Sequence, residues 1–326
     1  MEKEIKINES LLLTIVIPVY NTDPSLLRRA LMSIPNDDRV GVVVYNDGSD
    51  NEIDYSEVIK DMITNDPEMT WMNCNRFYYN ELIDNIGLAA VRNKSIDDIG
   101  SQYIMFLDSD DEVYSENVLC ILNKVLEREE SFNVIYAGIS LIVDNEVVSN
   151  ETFDTADKER CMVPYFTTPN IYNTEFLRSM EIYYGEDDRR TFEDIIFSVK
   201  LYLYSEVLLG GETSFYCDCP IYKYYLEGQS LTRINLEEDS NWKDKYIKLN
   251  SDLLYWISEV KALYHLVITE LGESIEDSDF KLKLFNRLRY EVNKALEYDM
   301  IANGDFYKYE WYVDQLKPYK MSNILQ

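Results

Sequence analysis

Glycine, proline and histidine are scarce in this chain of 326 residues, with 11, 8 and 1 copies respectively. The low glycine and proline content excludes collagen-like repeats and low-complexity linkers. No stretch approaches the roughly 20 apolar residues that span a bilayer, so we expect no membrane span. The most apolar N-terminal run, residues 11–20, contains Pro18 and has no cleavage site of small residues after it. It therefore predicts a strand rather than a secretion signal.

Basic residues are outnumbered, with 31 lysines and arginines against 60 acidic residues and a net charge of −29. Such a surface repels phosphate backbones unless a local basic patch offsets it, so nucleic acid is a disfavoured partner, although it is not excluded. Hydrophobic residues at 46% and charged residues at 28% are close to the globular average. The composition therefore predicts a folded globular protein rather than a disordered chain.

Cysteine is also infrequent, with five copies at irregular spacing. An odd number without regular spacing suits a reducing compartment better than a disulfide framework, which predicts a cytoplasmic location. Cys217 and Cys219 could bind a metal ion, but no second pair and no nearby histidine completes a site. We interpret them at this stage as structural thiols.

The first 130 residues alternate between strand and helix patterns. Strands are predicted at 11–19, 40–45, 76–79 and 103–107, and helices at 25–34, 53–63, 85–99 and 118–129. This alternation predicts an α/β fold with a mostly parallel central sheet flanked by helices. From residue 236 onward, apolar residues recur every three or four positions, which predicts an α-helical C-terminal region.

We therefore predict two parts, residues 1–235 and residues 236–326. The apolar stripes of the C-terminal helices are most simply packing faces. The alternatives are a surface for homo-oligomers or for docking of an acceptor.

Polar clusters follow three of the predicted strands: Tyr20-Asn21, residues 46–50 and residues 108–111. Ligands of α/β sheets bind beyond the carboxyl ends of the strands. The three acids among residues 108–111 repel one another unless a cation lies among them, and a hard divalent ion prefers oxygen ligands. The alternative is a solvated turn or a helix cap.

Two further clusters have a structural and a functional interpretation. The carboxylate of Asp47 could accept a hydrogen bond from a bound base or sugar, or simply belong to a turn. Glu193 and Asp194 precede an apolar helical face, where acids are also favoured by the helix dipole.

Five motifs occur in one order along the chain. They are TIVIPVYN (14–21), NDGSD (46–50), NIGLAAVRN (85–93), FLDSDD (106–111) and FEDIIF (192–197). Together they resemble the family 2 glycosyltransferases, whose domain is a GT-A fold, over about residues 11–235. Residues 170–177 and 224–233 also resemble segments of that family.

The resemblance implies a role for each motif. Residues expected to line the nucleotide pocket or border the donor are Pro18, Tyr20, Asn21, Asp47, Asn85, Arg92, Asn93 and Ser109. Among these, Asp47 would contact the base, which is usually uracil in this family. Asp108 and Asp110 form the DXD pair, in which Asp110 would bind Mn²⁺ or Mg²⁺ and Asp108 would lie near the ribose or the metal. Asp194 would be the general base, with Glu193 beside it.

The resemblance implies an inverting glycosyltransferase that moves a sugar from a UDP-sugar to a glycan or another hydroxyl-bearing acceptor. The main alternative is a non-catalytic protein that binds sugar nucleotides or glycans on the same scaffold, and a third is a structural or interaction protein. The chain departs from the family at Asn46, where an acid is common. Its only histidine, His265, falls in a predicted C-terminal helix, so a metal without a histidine ligand is expected to bind weakly when no donor is present.

Overall fold

The computed structural model describes residues 11–50, 53–128, 131–152, 167–185, 193–202 and 213–226, with isolated positions at 204–205, 209 and between 244 and 255. The chain divides into two compact units, one formed by Met1–Tyr184 with Lys200–Gly228 and the other by Gly185–Val199 with Gln229–Gln326. The predicted boundary at residue 235, His265 and nearly all of the predicted C-terminal helices lie outside the described residues. The two-part organisation proposed from the sequence therefore stays a prediction.

The described residues of the first unit contain nine strands that form one sheet. They are β1 (Leu13–Val19), β2 (Val40–Asn46), β3 (Phe77–Glu81), β4 (Tyr103–Phe106), β5 (Glu112–Val113), β6 (Val134–Val143), β7 (Glu146–Glu151), β8 (Ile171–Asn173) and β9 (Ser214–Tyr225). Their order across the sheet is β3-β2-β1-β4-β8-β6-β9-β5, with β7 paired to β6.

Helices connect and flank these strands. They are α1 (Pro24–Met32), α2 (Tyr55–Asn65), α3 (Leu88–Asp98), α4 (Ser115–Glu127), α5 (Thr174–Ser179) and α6 (Asp194–Tyr202), with a 3₁₀ helix at Pro67–Asn73. Local signals set several of their ends. The carboxylate of Asp23 caps α1 by accepting from the backbone N–H of Ser25 at 2.8 Å, and Pro24 occupies the first turn. No helix among the described residues has the length and apolar character needed to cross a bilayer.

The four strands predicted from the N-terminal sequence are parallel, in the order β3-β2-β1-β4. Every residue of β1 and β2 is buried, as is typical of parallel strands covered on both faces. The chain order reverses between β1 and β4, and such a reversal opens a crevice at the carboxyl ends of the two strands. The loops after these strands are therefore where a ligand site is expected.

The remaining strands make the sheet mixed. β8 is antiparallel to both β4 and β6, β7 is antiparallel to β6 and β5 is antiparallel to β9, whereas β9 runs parallel to β6. β9 also pairs with β5, which begins just after residue 111. β9 therefore lies beside the acidic residues 108–111. The core around this sheet includes buried side chains of α1, α2 and α4.

Candidate functional site

The loops after β1 and β2 are joined by reciprocal hydrogen bonds. The backbone N–H of Asn21 donates to the Ser49 hydroxyl at 3.0 Å, and its side-chain amide donates to Asp50 at 3.0 Å. The backbone N–H of Asp50 donates in return to the Asn21 side-chain oxygen at 2.8 Å. Asn21 has a φ of 51°, a left-handed conformation that asparagine tolerates better than most residues. Asn21 therefore fixes the shape of these two loops, and its place in the nucleotide pocket stays a prediction.

A second set of contacts joins the loop after β1 to the loop after β4. The hydroxyls of Thr22 and Ser109 lie 2.7 Å apart, and the Tyr55 hydroxyl donates to the carbonyl of Thr22 at 2.6 Å. Pro18 is buried in β1, whereas Tyr20 is 52% exposed at the rim of this loop. The ring of Tyr20 is thus accessible to solvent, and its predicted place in the nucleotide pocket stays a prediction.

Asp47 holds the entrance to α3. One carboxylate oxygen accepts from the backbone N–H of Ile86 at 2.7 Å, and the other accepts from Gly87 N at 2.9 Å and from the Asn85 side-chain amide at 3.1 Å. Gly87 is the N-cap of α3 and has no side chain with which to cap the helix. The buried carboxylate therefore organises this loop, and its predicted contact with a base stays a prediction.

Gly48 allows the loops to approach so closely. It adopts a φ of +62°, and a Cβ atom at this position would lie 2.6 Å from both the backbone nitrogen of Asn85 and the carbonyl carbon of Asp84. Any residue other than glycine would therefore have a strained backbone at this position, and its Cβ would collide with the backbone of residues 84 and 85.

Arg92 of α3 is buried and reaches residues 108–111, the acidic turn that follows β4. Its guanidinium forms an ion pair with Asp108 at 2.7 Å and lies 5.1 Å from the ring centre of Tyr184 and 5.8 Å from that of Phe106. Burial between aromatic rings fixes the guanidinium and, through it, one oxygen of Asp108. Arg92 thus positions the first acid of the predicted DXD pair.

Asn93, the next residue of α3, makes a two-way contact with the main chain of Tyr184. Its side-chain amide donates to the Tyr184 carbonyl at 2.9 Å, and its oxygen accepts from the Tyr184 N–H at 2.8 Å. Asn93 is 5% exposed. In this structure it fixes the backbone at residue 184, and a contact with the donor stays a prediction.

The carboxylate of Asp110 has a different environment from that of Asp108. Among the described residues, no side chain forms a hydrogen bond with it, while Arg29 donates to the Asp110 backbone carbonyl. Burial, followed by the negative charge of Asp108, raises the pKa of Asp110 above its ordinary value. A cation placed beside these carboxylates would offset both effects.

The carboxylate of Asp111 binds strand β9. Its oxygens accept from the Tyr222 hydroxyl at 2.8 Å and from the Tyr225 N–H at 2.8 Å, so it ties the acidic turn to β9. The Tyr222 hydroxyl also accepts from the Asp108 N–H at 3.1 Å. Burial and the charge of Asp108 raise the pKa of Asp111 to about 8. The three acids that follow one another in sequence therefore have three different environments.

Glu193 and Asp194 belong to the second compact unit, whereas the residues described above belong to the first. Asp194 is the first residue of α6 and is half-buried, and the carbonyl of Glu193 accepts from the backbone N–H of Gly185 at 3.2 Å. Phe192 of the same motif lies outside the described residues. The catalytic role of Asp194 stays a prediction.

Several residues that shape the site carry no signal in the sequence. Arg29 of α1 places its guanidinium 3.7 Å from the ring centre of Tyr225 and forms an ion pair with Glu112 at 3.4 Å, besides its bond to the acidic turn. Tyr222 joins two positions of that turn across more than 100 residues of sequence. No local pattern marks either residue, because their role depends on how β9 pairs with β5.

A divalent ion would find a suitable set of donors at Asp108 and Asp110. Both present carboxylate oxygens, the ligands that Mn²⁺ and Mg²⁺ prefer. One oxygen of Asp108 is already paired with Arg92, whereas no side chain among the described residues forms a hydrogen bond with the carboxylate of Asp110. The residues present therefore fit such an ion.

Comparison with known proteins agrees with this arrangement. The sequence profile of Glycosyl transferase family 2 matches residues 14–177, half of the chain. Glycosyltransferase GlyA of Streptococcus pneumoniae is 26% identical over 253 residues, which cover 72% of this chain and 32% of GlyA. The GalNAc(5)-diNAcBac-PP-undecaprenol beta-1,3-glucosyltransferase of Campylobacter jejuni is 21% identical over 292 residues, which cover 81% of this chain and 89% of that enzyme. The chain thus spans about a third of the length of GlyA.

The fold has a counterpart among solved structures. The crystal structure of S. aureus TarS 1–349 in complex with UDP-GlcNAc matches with a TM-score of 0.58 at 15% identity, covering 96% of this chain and 81% of that chain. At this identity the likeness concerns the fold alone, and it confirms the predicted GT-A architecture. Because one family profile matches half of the sequence, the chain belongs to glycosyl transferase family 2.

Proposed function

We propose that this chain is an inverting, metal-dependent glycosyltransferase that moves a sugar from a UDP-sugar to an acceptor hydroxyl. Membership of a transferase family supports an enzyme. The observation that carries the proposal is the position of Asp108 and Asp110, in a turn at the carboxyl end of β4 that is hydrogen-bonded to the loop after β1. This is the edge of the sheet where a nucleotide diphosphate is expected.

The site and the relatives together support a UDP-sugar as the donor. TarS has been crystallised with UDP-GlcNAc and with UDP. In this chain, the exposed ring of Tyr20 and the buried carboxylate of Asp47 flank the loops that would hold a uridine. A glycan acceptor is supported by the C. jejuni relative, whose name describes a glucosyltransferase acting on a lipid-linked glycan. The sugar that is transferred is left open by these observations.

Asp110 and Asp108 would hold Mn²⁺ or Mg²⁺. When bound, such an ion would neutralise the charge that develops on the departing diphosphate. Arg92 holds Asp108 in place. The contacts of Tyr222 and Arg29 with backbone atoms of the turn keep its main chain in position.

Asp194 is the proposed general base. The acceptor hydroxyl attacks the anomeric carbon, the bond from that carbon to the diphosphate oxygen breaks, and the hydroxyl proton passes to the carboxylate of Asp194. Proton transfer of this kind contributes about 10²- to 10⁴-fold to a rate. Inversion follows if attack and departure occur on opposite faces of the sugar.

The first test is release of UDP from a panel of UDP-sugars in Mn²⁺, with and without EDTA, with and without glycan acceptors. We expect one donor to give metal-dependent release. Asp110→Asn should abolish the metal response of UDP binding measured by calorimetry. Asp194→Asn should keep UDP affinity and lower turnover by about 10²- to 10⁴-fold.

Asp61→Asn is the matched control, because Asp61 is an exposed carboxylate on α2 and should leave both measurements unchanged. If UDP binds but no donor turns over with any acceptor, the chain is instead a non-catalytic sugar-nucleotide-binding protein. Equal turnover in Asp194→Asn and wild type would reject the assignment of the base.

A further inference from the structure

Strand β9 departs from regular pairing at Cys217-Asp218-Cys219. Tyr136 of β6 pairs with Tyr216, and Gly138 pairs with Pro220, so three residues of β9 lie opposite the single residue Ala137. This is a β-bulge larger than the usual type, in which two residues lie opposite one. Bulges redirect side chains and frequently occur next to functional sites.

The bulge brings three potential ligand atoms together. The Sγ atoms of Cys217 and Cys219 lie 3.1 Å apart, and a carboxylate oxygen of Asp218 lies within 4.8 Å of both. In a regular strand the middle residue would point to the opposite face from its two neighbours. Convergence of all three side chains is therefore a specific consequence of the irregular backbone.

We propose that Cys217, Asp218 and Cys219 form a binding site for a borderline-soft divalent cation of the Zn²⁺ class. Two thiolates and one carboxylate are a donor set that Zn²⁺ accepts, with water as the fourth ligand. This site differs in chemistry from the acidic turn, whose oxygen donors suit Mn²⁺ or Mg²⁺. The proposal is independent of the proposed transferase reaction.

The sulfur separation is compatible with a metal site. Tetrahedral Zn²⁺ with bonds of about 2.3 Å places two sulfurs about 3.8 Å apart, which requires an opening of about 0.7 Å from the observed distance. A disulfide of about 2.05 Å requires a closing of about 1 Å and gives Asp218 no role. Cys217 is buried, Cys219 is half-buried and Asp218 is exposed, so the cluster is open to solvent on the side of the carboxylate.

The site would also have a structural effect along β9. The strand continues from the bulge to Tyr222 and Tyr225, which bind the acidic turn through Asp111. A cation that fixes the bulge would reduce the freedom of the segment just before these tyrosines. The expected benefit is stability, because ligands that bind only the folded state raise its stability.

The experiment is a Co²⁺ titration of the full chain, after treatment with a chelator and a phosphine reductant. We expect one equivalent to produce a thiolate-to-cobalt charge-transfer band in the near ultraviolet, displaced by added Zn²⁺. Cys217→Ser with Cys219→Ser should remove the band. Asp218→Asn, a change at an exposed residue, should weaken Co²⁺ affinity at least ten-fold while the fold, checked by circular dichroism, is retained.

The matched control is Cys74→Ser with Cys120→Ser, which alters two exposed thiols elsewhere in the described residues and should leave the band intact. Asp110→Asn should also leave it intact, so that failure of this site and failure of the proposed transferase site are distinguishable. Absence of the band in the reduced wild type, or its persistence in the Cys217 and Cys219 double variant, would overturn the proposal. A second contrary outcome is that the protein gives no metal signal but loses two hydrogens on treatment with oxidised glutathione. That result would indicate that Cys217 and Cys219 form a dithiol–disulfide pair.

Discussion

The replacement Asp47→Asn tests how the loop before α3 is held. The carboxylate accepts from Ile86 on one oxygen and from Gly87 and Asn85 on the other. Asparagine has one acceptor oxygen, and its NH₂ group must face at least one of these donors. With the NH₂ group turned toward Ile86, one bond is lost, and with the opposite orientation two bonds are lost.

The magnitude follows from the better of the two orientations. A hydrogen bond to a charged group contributes about 1.5–3 kcal/mol. The loop is partly exposed, so water can satisfy some of the freed donors, and we expect the loop to lose about 2 kcal/mol. Since 1.4 kcal/mol corresponds to a factor of ten, the amides of Ile86 and Gly87 should exchange their hydrogens about 30-fold faster in the variant.

Hydrogen exchange followed by mass spectrometry measures this loop directly, without requiring the two compact units to unfold together. The matched control is Asp50→Asn, which alters an exposed carboxylate in the neighbouring turn that accepts from the Asn21 side chain. Its effect on exchange at residues 86–87 should be under about three-fold, because exposed polar contacts contribute little. Unchanged exchange at these amides in Asp47→Asn would refute the reasoning.

The same variant also separates the two roles of Asp47 when UDP affinity is measured. Gly48→Ala disturbs the same loop, because its Cβ would meet the backbone of residues 84 and 85, but it leaves the carboxylate in place. A loss of UDP affinity in Asp47→Asn alone would indicate contact with the base. Equal losses in both variants would indicate that the carboxylate acts through the loop.

Two further predictions concern the contacts around the site and the start of β2. Tyr222→Phe removes a buried hydroxyl that bonds to both Asp108 and Asp111, so denaturant unfolding should show a loss of about 1–3 kcal/mol, and no loss would show that these bonds do not hold the turn. Asp37→Asn breaks a bidentate contact with Arg39 that lowers the pKa of Asp37. Because the folded pKa is depressed, this stability is present above about pH 4 and is lost as the pH falls through the folded value. The variant should be about 0.5–1 kcal/mol less stable at pH 7, with a difference that disappears in acid; a constant difference would contradict the assignment.

Local chemistry explains which parts of the fold the sequence predicts. Asp23 and Pro24 mark the start of α1, whereas α3 begins at Leu88, three residues after the predicted start at residue 85. β1 and β2 are continuous apolar runs, so their burial on both faces is visible without any partner. The later strands lack such signals. β8 has only three residues and β5 only two, and both exist because longer strands elsewhere offer them hydrogen bonds.

The acidic turn after β4 shows that the residue types in a motif do not reveal the role of each residue. Asp108, Asp110 and Asp111 are chemically identical and nearly adjacent, yet Arg92 pairs with the first, β9 binds the third, and among the described residues no side chain hydrogen-bonds to the second. The difference arises from elements that are remote in sequence, α3 on one side and β9 on the other. Those partners turn two of the three acids into supports of the turn. A cation bound beside Asp110 would therefore meet a carboxylate that no described side chain already holds, and its charge would offset the burial and the repulsion from Asp108 that raise the pKa of Asp110.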